Sequence, residues 1–192
     1  MKLNVGCGRN SLDGWVNIDA VQLPGVDLVV DLDTARTGDD APLLMPQWRD
    51  RVEEFLLSHV IEHLRNPLGV MQELWALAAP DARMVIRCPH GASDDADEDP
   101  THVRRMFPGS FGYFGQPYYW RADYGYRGDW MVDAIALHPY PEHAAKPDFV
   151  LHQLVRDQRN VVQEMVVTLH AVRPRREPLR DLQHYVAPQF VR

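Results

Sequence analysis

The chain has 192 residues, 45% of them hydrophobic, which suits one domain with a well-buried core. A net charge of −7 repels phosphate backbones and argues against nucleic acid as a partner, while two cysteines, Cys7 and Cys88, supply neither a disulfide framework nor a four-ligand zinc site. The start runs directly into a strand-like segment without a signal-length apolar stretch, and nothing later approaches a membrane span, so the expected setting is cytoplasmic with no membrane partner.

In chain order, Leu3-Asn4-Val5-Gly6-Cys7-Gly8 reads as a strand that stops at two glycines, where a ligand can approach bare backbone. The next strand, Trp15-Val16-Asn17-Ile18-Asp19, ends in a carboxylate eleven residues after Gly8, suited to ribose hydroxyls. The 6–14 link holds at most a single helical turn. The third glycine of a dinucleotide fingerprint is missing and the acid comes early, so nicotinamide and flavin cofactors lose ground. Val26-Asp27-Leu28-Val29-Val30-Asp31-Leu32 is a third strand candidate, and 34–46 is a loop broken by proline, glycine and paired aspartates. Residues 53–59 form a fourth strand. Helical spacing over 67–79 puts Leu68, Met71, Leu74, Trp75 and Ala78 on one face, and Pro80-Asp81 stops it. A fifth strand, 83–88, ends at Pro89. Near-continuous apolar strands of this kind suit an open α/β sheet covered on both faces.

After His90 the pattern dissolves into an acidic loop, 94–99, and an aromatic, glycine-rich stretch, 107–126. Residues 90–128 are expected to form an inserted substrate cover. Their rings suit a lid over an apolar or planar substrate and suit a subunit interface equally well. Strand character returns at 129–137 and 161–172, with a helix over 149–157 between them. The tail, 174–192, is expected to wrap the surface or meet another subunit, so the aromatic stretch or the tail could carry a homodimer contact.

The ordered set Leu3 to Gly8, Gly14-Trp15-Val16-Asn17-Ile18-Asp19, Asp27-Leu28-Val29-Val30-Asp31-Leu32, Ser58-His59-Val60-Ile61-Glu62-His63-Leu64 and Arg87-Cys88-Pro89 resembles the class I S-adenosylmethionine-dependent methyltransferases, in particular the small type 11-like ones. The resemblance implies a single domain over 1–192 with a Rossmann-like open sheet, mostly parallel, carrying an antiparallel C-terminal strand pair and an abbreviated first helix. It also implies S-adenosylmethionine as cofactor. Gly6, Cys7 and Gly8 would border its methionine part, Asp19 would take the ribose hydroxyls, Asp31 with Leu32 would sit at the adenine, and Ser58 with His59 would line the sulfonium end. Two positions depart from the pattern: Asn4 stands where an acid is usual, and Ala79-Pro80-Asp81-Ala82 replaces a proline-glycine-glycine turn.

Methyl transfer from a sulfonium is an in-line displacement, so the protein must align the partners, exclude water and deprotonate a hydroxyl or amine acceptor. Histidine suits that last task. His59 reads as a pocket wall and His63 as a packing residue beside Glu62, whereas His90 and His102 flank the acidic loop and are the candidate bases. The run Asp99-Pro100-Thr101-His102-Val103-Arg104 resembles one seen in small methyltransferases. It makes His102 a base or anchor, Arg104 or Arg105 a partner for an anionic group, and Phe107 or Phe111 an aromatic near the substrate, with Tyr113 a further expected substrate contact. His90, Asp94, Asp95, Asp97, Asp99 and His102 also supply donors for a divalent ion, but acidic runs are usually solvated loops and no metal is assigned. The expected function is methyl transfer to oxygen or nitrogen of a small molecule. A cofactor-binding partner without turnover and a metal-dependent hydrolase are the alternatives.

Overall fold

The structure, a computed structural model, describes residues 1–192. One eight-stranded sheet runs in the order β3-β2-β1-β4-β5-β7-β6-β8. Its strands are β1 (Lys2–Val5), β2 (Val16–Asp19), β3 (Leu28–Val29), β4 (Val52–Ser58), β5 (Ala78–Pro89), β6 (Trp130–Pro139), β7 (Val162–Ala171) and β8 (Gln189–Phe190). The first five are mutually parallel, and β7 runs antiparallel to β5 and β6. Strand order therefore reverses beside β1, which opens a crevice at the C-terminal ends of β1 and β4. No helix is long and apolar enough to cross a membrane.

The 6–15 link contains no helix at all, not even the single turn the spacing allows. Buried polar side chains fold it instead. Asn4 Nδ2 donates to Asn10 O and to Asn17 Oδ1, each at 2.9 Å, and Asn17 Oδ1 also accepts from Leu12 N at 2.8 Å. Asp27 Oδ2 accepts from Asn17 N at 2.8 Å, which ties the approach to β3 into the same network. Asn4 thus braces the loop, and an amide can do so because it donates as well as accepts.

Helix α1 (Pro67–Leu77) starts where the Asn66 side chain accepts from Gly69 N, with Pro67 preset for the first turn. It buries Val70, Met71, Leu74 and Leu77 against the sheet. Two further buried positions, Gln72 and Glu73, are polar and hold the preceding loop. Gln72 exchanges hydrogen bonds with Gly38, and Glu73 Oε1 accepts from Leu44 N and Met45 N. Burial raises the Glu73 carboxyl above its usual range despite those donors. The helix stops at Leu77, ahead of Pro80-Asp81, because Ala78 already pairs with Val52 and β5 begins there.

Two expectations about the second half change. The 107–128 stretch does not cover the crevice. β5 ends at the crevice, whereas Trp130 at the start of β6 pairs with Ala171 at the opposite end, so the connection must traverse the length of the sheet. On the way it buries Phe111, Phe114, Tyr119 and Tyr126 in the core. Trp130 Nε1 donates to Met71 O at 2.9 Å, and Tyr126 Oη to Phe114 O at 2.8 Å, so the polar tips of these rings are satisfied inside. The tail likewise enters the sheet: β8 pairs parallel with β6, Phe190 is buried, and Arg192 donates to Ala144 O and Lys146 O. Arg176, earlier in the tail, donates through N, Nε and Nη2 to the fully buried Asp129, which also accepts from Gln116 N. Helix α2 (Asp95–Glu98) is a single turn in the acidic loop, and α3 (Asp148–Asp157) lies between β6 and β7 as expected.

Candidate active site

At the ends of β1, β2 and β4 lies a cleft of about 310 Å³, at the lower end of the size range of small-molecule sites. Gly6 forms its floor at φ +66°, a left-handed conformation, and a Cβ there would stand 2.5 Å from Val60 Cγ2. Glycine is therefore required twice over, by backbone and by space. Gly8, also left-handed at φ +53°, donates its N–H to Asp19 Oδ2 at 2.8 Å, and Val21 N donates to Asp19 Oδ1 at 3.0 Å. Asp19 thereby closes the glycine turn onto the end of β2 and lines the cleft with lone pairs to spare. Asp31 caps the short helix Leu32–Thr34 by accepting from Asp33 N, and both Asp31 and Leu32 line the same cleft.

His59 stands between this cleft and a second one, in a left-handed conformation at φ +54° that is unusual for its side chain. Its Nδ1 lies 3.4 Å from Glu62 Oε1 and its Nε2 3.0 Å from Glu164 Oε1. Glu62 and then Glu164 raise its pKa, against the opposing effect of burial. Of the other residues expected at the cofactor, Cys7, Gly8 and Ser58 do not line the cleft. The Cys7 side chain is buried, and burial followed by Asp19 pushes its thiol up. Val30, Asp33, Val60, His63 and Leu64 line it unanticipated. Asp33 Oδ1 accepts from Arg65 N at 2.8 Å and so holds the 59–66 loop in place. The four-residue spacing of Val60 and Leu64 was the available signal for that wall.

The second cleft, about 630 Å³, is lined by histidines, acids and an amide, with Pro89 the one apolar side chain. His59, His63, His102, Asp99, Gln163 and Glu164 supply its polar groups. A lining of this character suits a polar ligand, whereas the aromatic stretch had suggested an apolar or planar one. Phe111 is fully buried and Tyr113 lies beside Tyr118, and neither lines this cleft. Arg104 is likewise occupied. Its Nε donates to Leu64 O and its Nη2 to Arg65 O, each at 2.9 Å, so it clamps the 59–66 loop instead of meeting an anion.

His90 is 3% exposed, packs edge-on against Phe107 at 5.5 Å and lines neither cleft. Burial lowers its pKa, and it has no approach to an acceptor. His102 does line the second cleft. The acids of the loop are spent on folding it: Asp94 bonds Asn160 and Arg159, Asp97 bonds Arg105 and Arg159, and Asp95 accepts from Tyr140 and Gln163. Those contacts hold the Asp94 and Asp97 carboxyls below the usual range, with Asn160 the leading cause for the first and Arg105 for the second. His90 does not converge with these carboxylates into a ligand cluster.

No family model and no curated protein matches the sequence. Solved structures match the fold. An S-adenosylmethionine-dependent methyltransferase from Archaeoglobus fulgidus is similar at a TM-score of 0.58 and 15% identity, over 88% of this chain and 85% of that one. A 1,6-didemethyltoxoflavin-N1-methyltransferase from Burkholderia thailandensis, solved with 1,6-didemethyltoxoflavin and S-adenosylhomocysteine, gives 0.52 and 12% over 89% and 70%. The YcgJ protein of Bacillus subtilis gives 0.51 and 9% over 88% and 91%. With its reversal of strand order beside β1 and its antiparallel β6–β7 pair, the chain has the Rossmann-like fold of the class I S-adenosylmethionine-dependent methyltransferases.

Proposed function

We propose that the chain is an enzyme that transfers a methyl group from S-adenosylmethionine to an oxygen or nitrogen of a small polar molecule. The observation that carries this reading is the pair of adjoining clefts sharing His59 and His63, one lined by a glycine turn, carboxylates and aliphatic side chains as suits a nucleoside and the other lined mainly by histidines and acids. The smaller cleft fits the cofactor's chemistry: the left-handed glycine at position 6 leaves bare backbone, Asp19 and Asp31 offer acceptors to hydroxyls and amines, and Val30, Leu32, Val60 and Leu64 offer apolar wall. The cofactor, when bound, supplies an electrophilic methyl group on its sulfonium.

The chain's own residues do the rest. Asp19 holds ribose hydroxyls with its remaining lone pairs, while Leu32 and Val60 exclude water from one side. His102 assists the acceptor. Its Nδ1 lies 3.2 Å from Ala96 O, and a carbonyl can only accept, so Nδ1 donates there and the neutral ring has its lone pair on Nε2. Buried unpaired cysteines fit a cytoplasmic protein. Calorimetric titration of the chain with S-adenosylmethionine and with S-adenosylhomocysteine tests the reading. We expect both to bind with dissociation constants on the order of 1–100 μM, about −8 to −5.5 kcal/mol. Binding of neither would overturn it.

A further inference from the structure

Glu62 is 2% exposed, and neither of its carboxylate oxygens has a hydrogen-bond partner. The 3.4 Å approach of His59 Nδ1 is an ion contact without hydrogen-bond alignment. A buried carboxylate left this way is costly unless a cation completes it. His63 and His102 face it: one ligand atom from each of the three residues lies within 4.8 Å of the others, and the two imidazoles meet edge to face at 4.6 Å.

The surroundings set both imidazoles for ligation. Thr101 Oγ1 donates to Asp99 Oδ1 at 2.6 Å, so at its 2.9 Å contact with His63 Nδ1 the hydroxyl accepts and the ring nitrogen donates. His102 Nδ1 donates to Ala96 O, as above. In its neutral form each ring therefore carries its lone pair on Nε2, and a partner on the far nitrogen that fixes tautomer and orientation is the usual companion of a metal-ligating histidine.

We infer that Glu62, His63 and His102 bind a divalent transition-metal ion at the junction of the two clefts. Two imidazoles and one carboxylate select zinc or ferrous iron over magnesium or calcium, which prefer all-oxygen sets. Three protein ligands leave coordination positions open, and His63 and His102 both line the second cleft, so an oxygen or nitrogen of the acceptor completes the set; His102 then assists the acceptor through the ion it holds and not as a free base. That last role rests on the methyl-transfer reading. The site itself does not.

Isothermal titration of the full chain, stripped with chelator and then given Zn2+ or Co2+, tests the site. One ion per chain is expected, at micromolar affinity or tighter. Glu62→Gln, His63→Ala and His102→Ala should each weaken binding by more than about 100-fold, and Thr101→Ala, which removes only the partner of His63, by about 10–100-fold. Glu62→Gln keeps the side-chain shape and removes the buried charge, so its metal-free form should melt at or above the wild-type temperature. A folded wild type that binds neither ion overturns the site, and so does binding that survives loss of both histidines. Titration of the stripped chain with S-adenosylmethionine separates the two readings: loss of cofactor affinity defeats the methyl-transfer proposal and leaves the ion result standing.

Discussion

At the scale of single residues, His102 and Asp19 carry the sharpest expectations. Replacing His102 by Ala should lower turnover by about a hundredfold or more while leaving S-adenosylmethionine affinity within twofold, as steady-state kinetics and calorimetry together would show. Asp19→Ala should do the reverse first. It removes the acceptor for Gly8 N and Val21 N as well as the proposed ribose contact, so cofactor affinity should fall by at least about tenfold, the cost of one charged hydrogen bond of roughly 1.5–3 kcal/mol. Both residues were readable from the sequence because each sits at a strand or loop end whose place follows from chain order. His90 was not. It follows the last residue of β5 and looked equally free, but its bridge to Met106 and the ring of Phe107 enclose it. Whether a histidine after a strand points to the crevice or into the protein depends on what packs over it, which local sequence does not encode.

At the scale of elements, the informative stretch is 107–128. If its rings are core, Phe111→Ala should cost about 3–5 kcal/mol in urea unfolding without changing KM for either substrate, whereas a lid residue would change KM and spare stability. Arg176→Ala should cost about 3–5 kcal/mol by the same assay, because it strands the fully buried Asp129 and unties tail, crossover and β6 together. Strands and helices with a clear period were legible: β1, β2, β4, α1, α3 and the antiparallel pair all fall within a few residues of their expected positions. The crossover was not, since an aperiodic run of rings and glycines looks the same whether it faces solvent or core. What placed it was the course of β6, which runs parallel to β5, so that it starts at the far end of the sheet and compels the chain to travel there.

At the scale of the whole molecule, the tail completes the sheet. Truncation before Gln189 removes the parallel partner of β6 and the bonds Arg192 makes to Ala144 and Lys146, leaving an open edge. Such a chain should self-associate in light scattering at concentrations where the full chain does not. The sequence by itself determined the open parallel sheet, the glycine turn at Gly6 and the carboxylates at its strand ends, because these depend on local period and on the order of short segments. Only the tertiary structure decided that histidines and acids line the second cleft, that Phe111, Phe114, Tyr119 and Tyr126 are core, and that Glu62, His63 and His102 converge. Those outcomes depend on which side chains from distant segments share one space: Glu62 and His102 are separated by all of α1 and β5, and only the folding of the 91–106 segment back over the 59–66 loop brings them together.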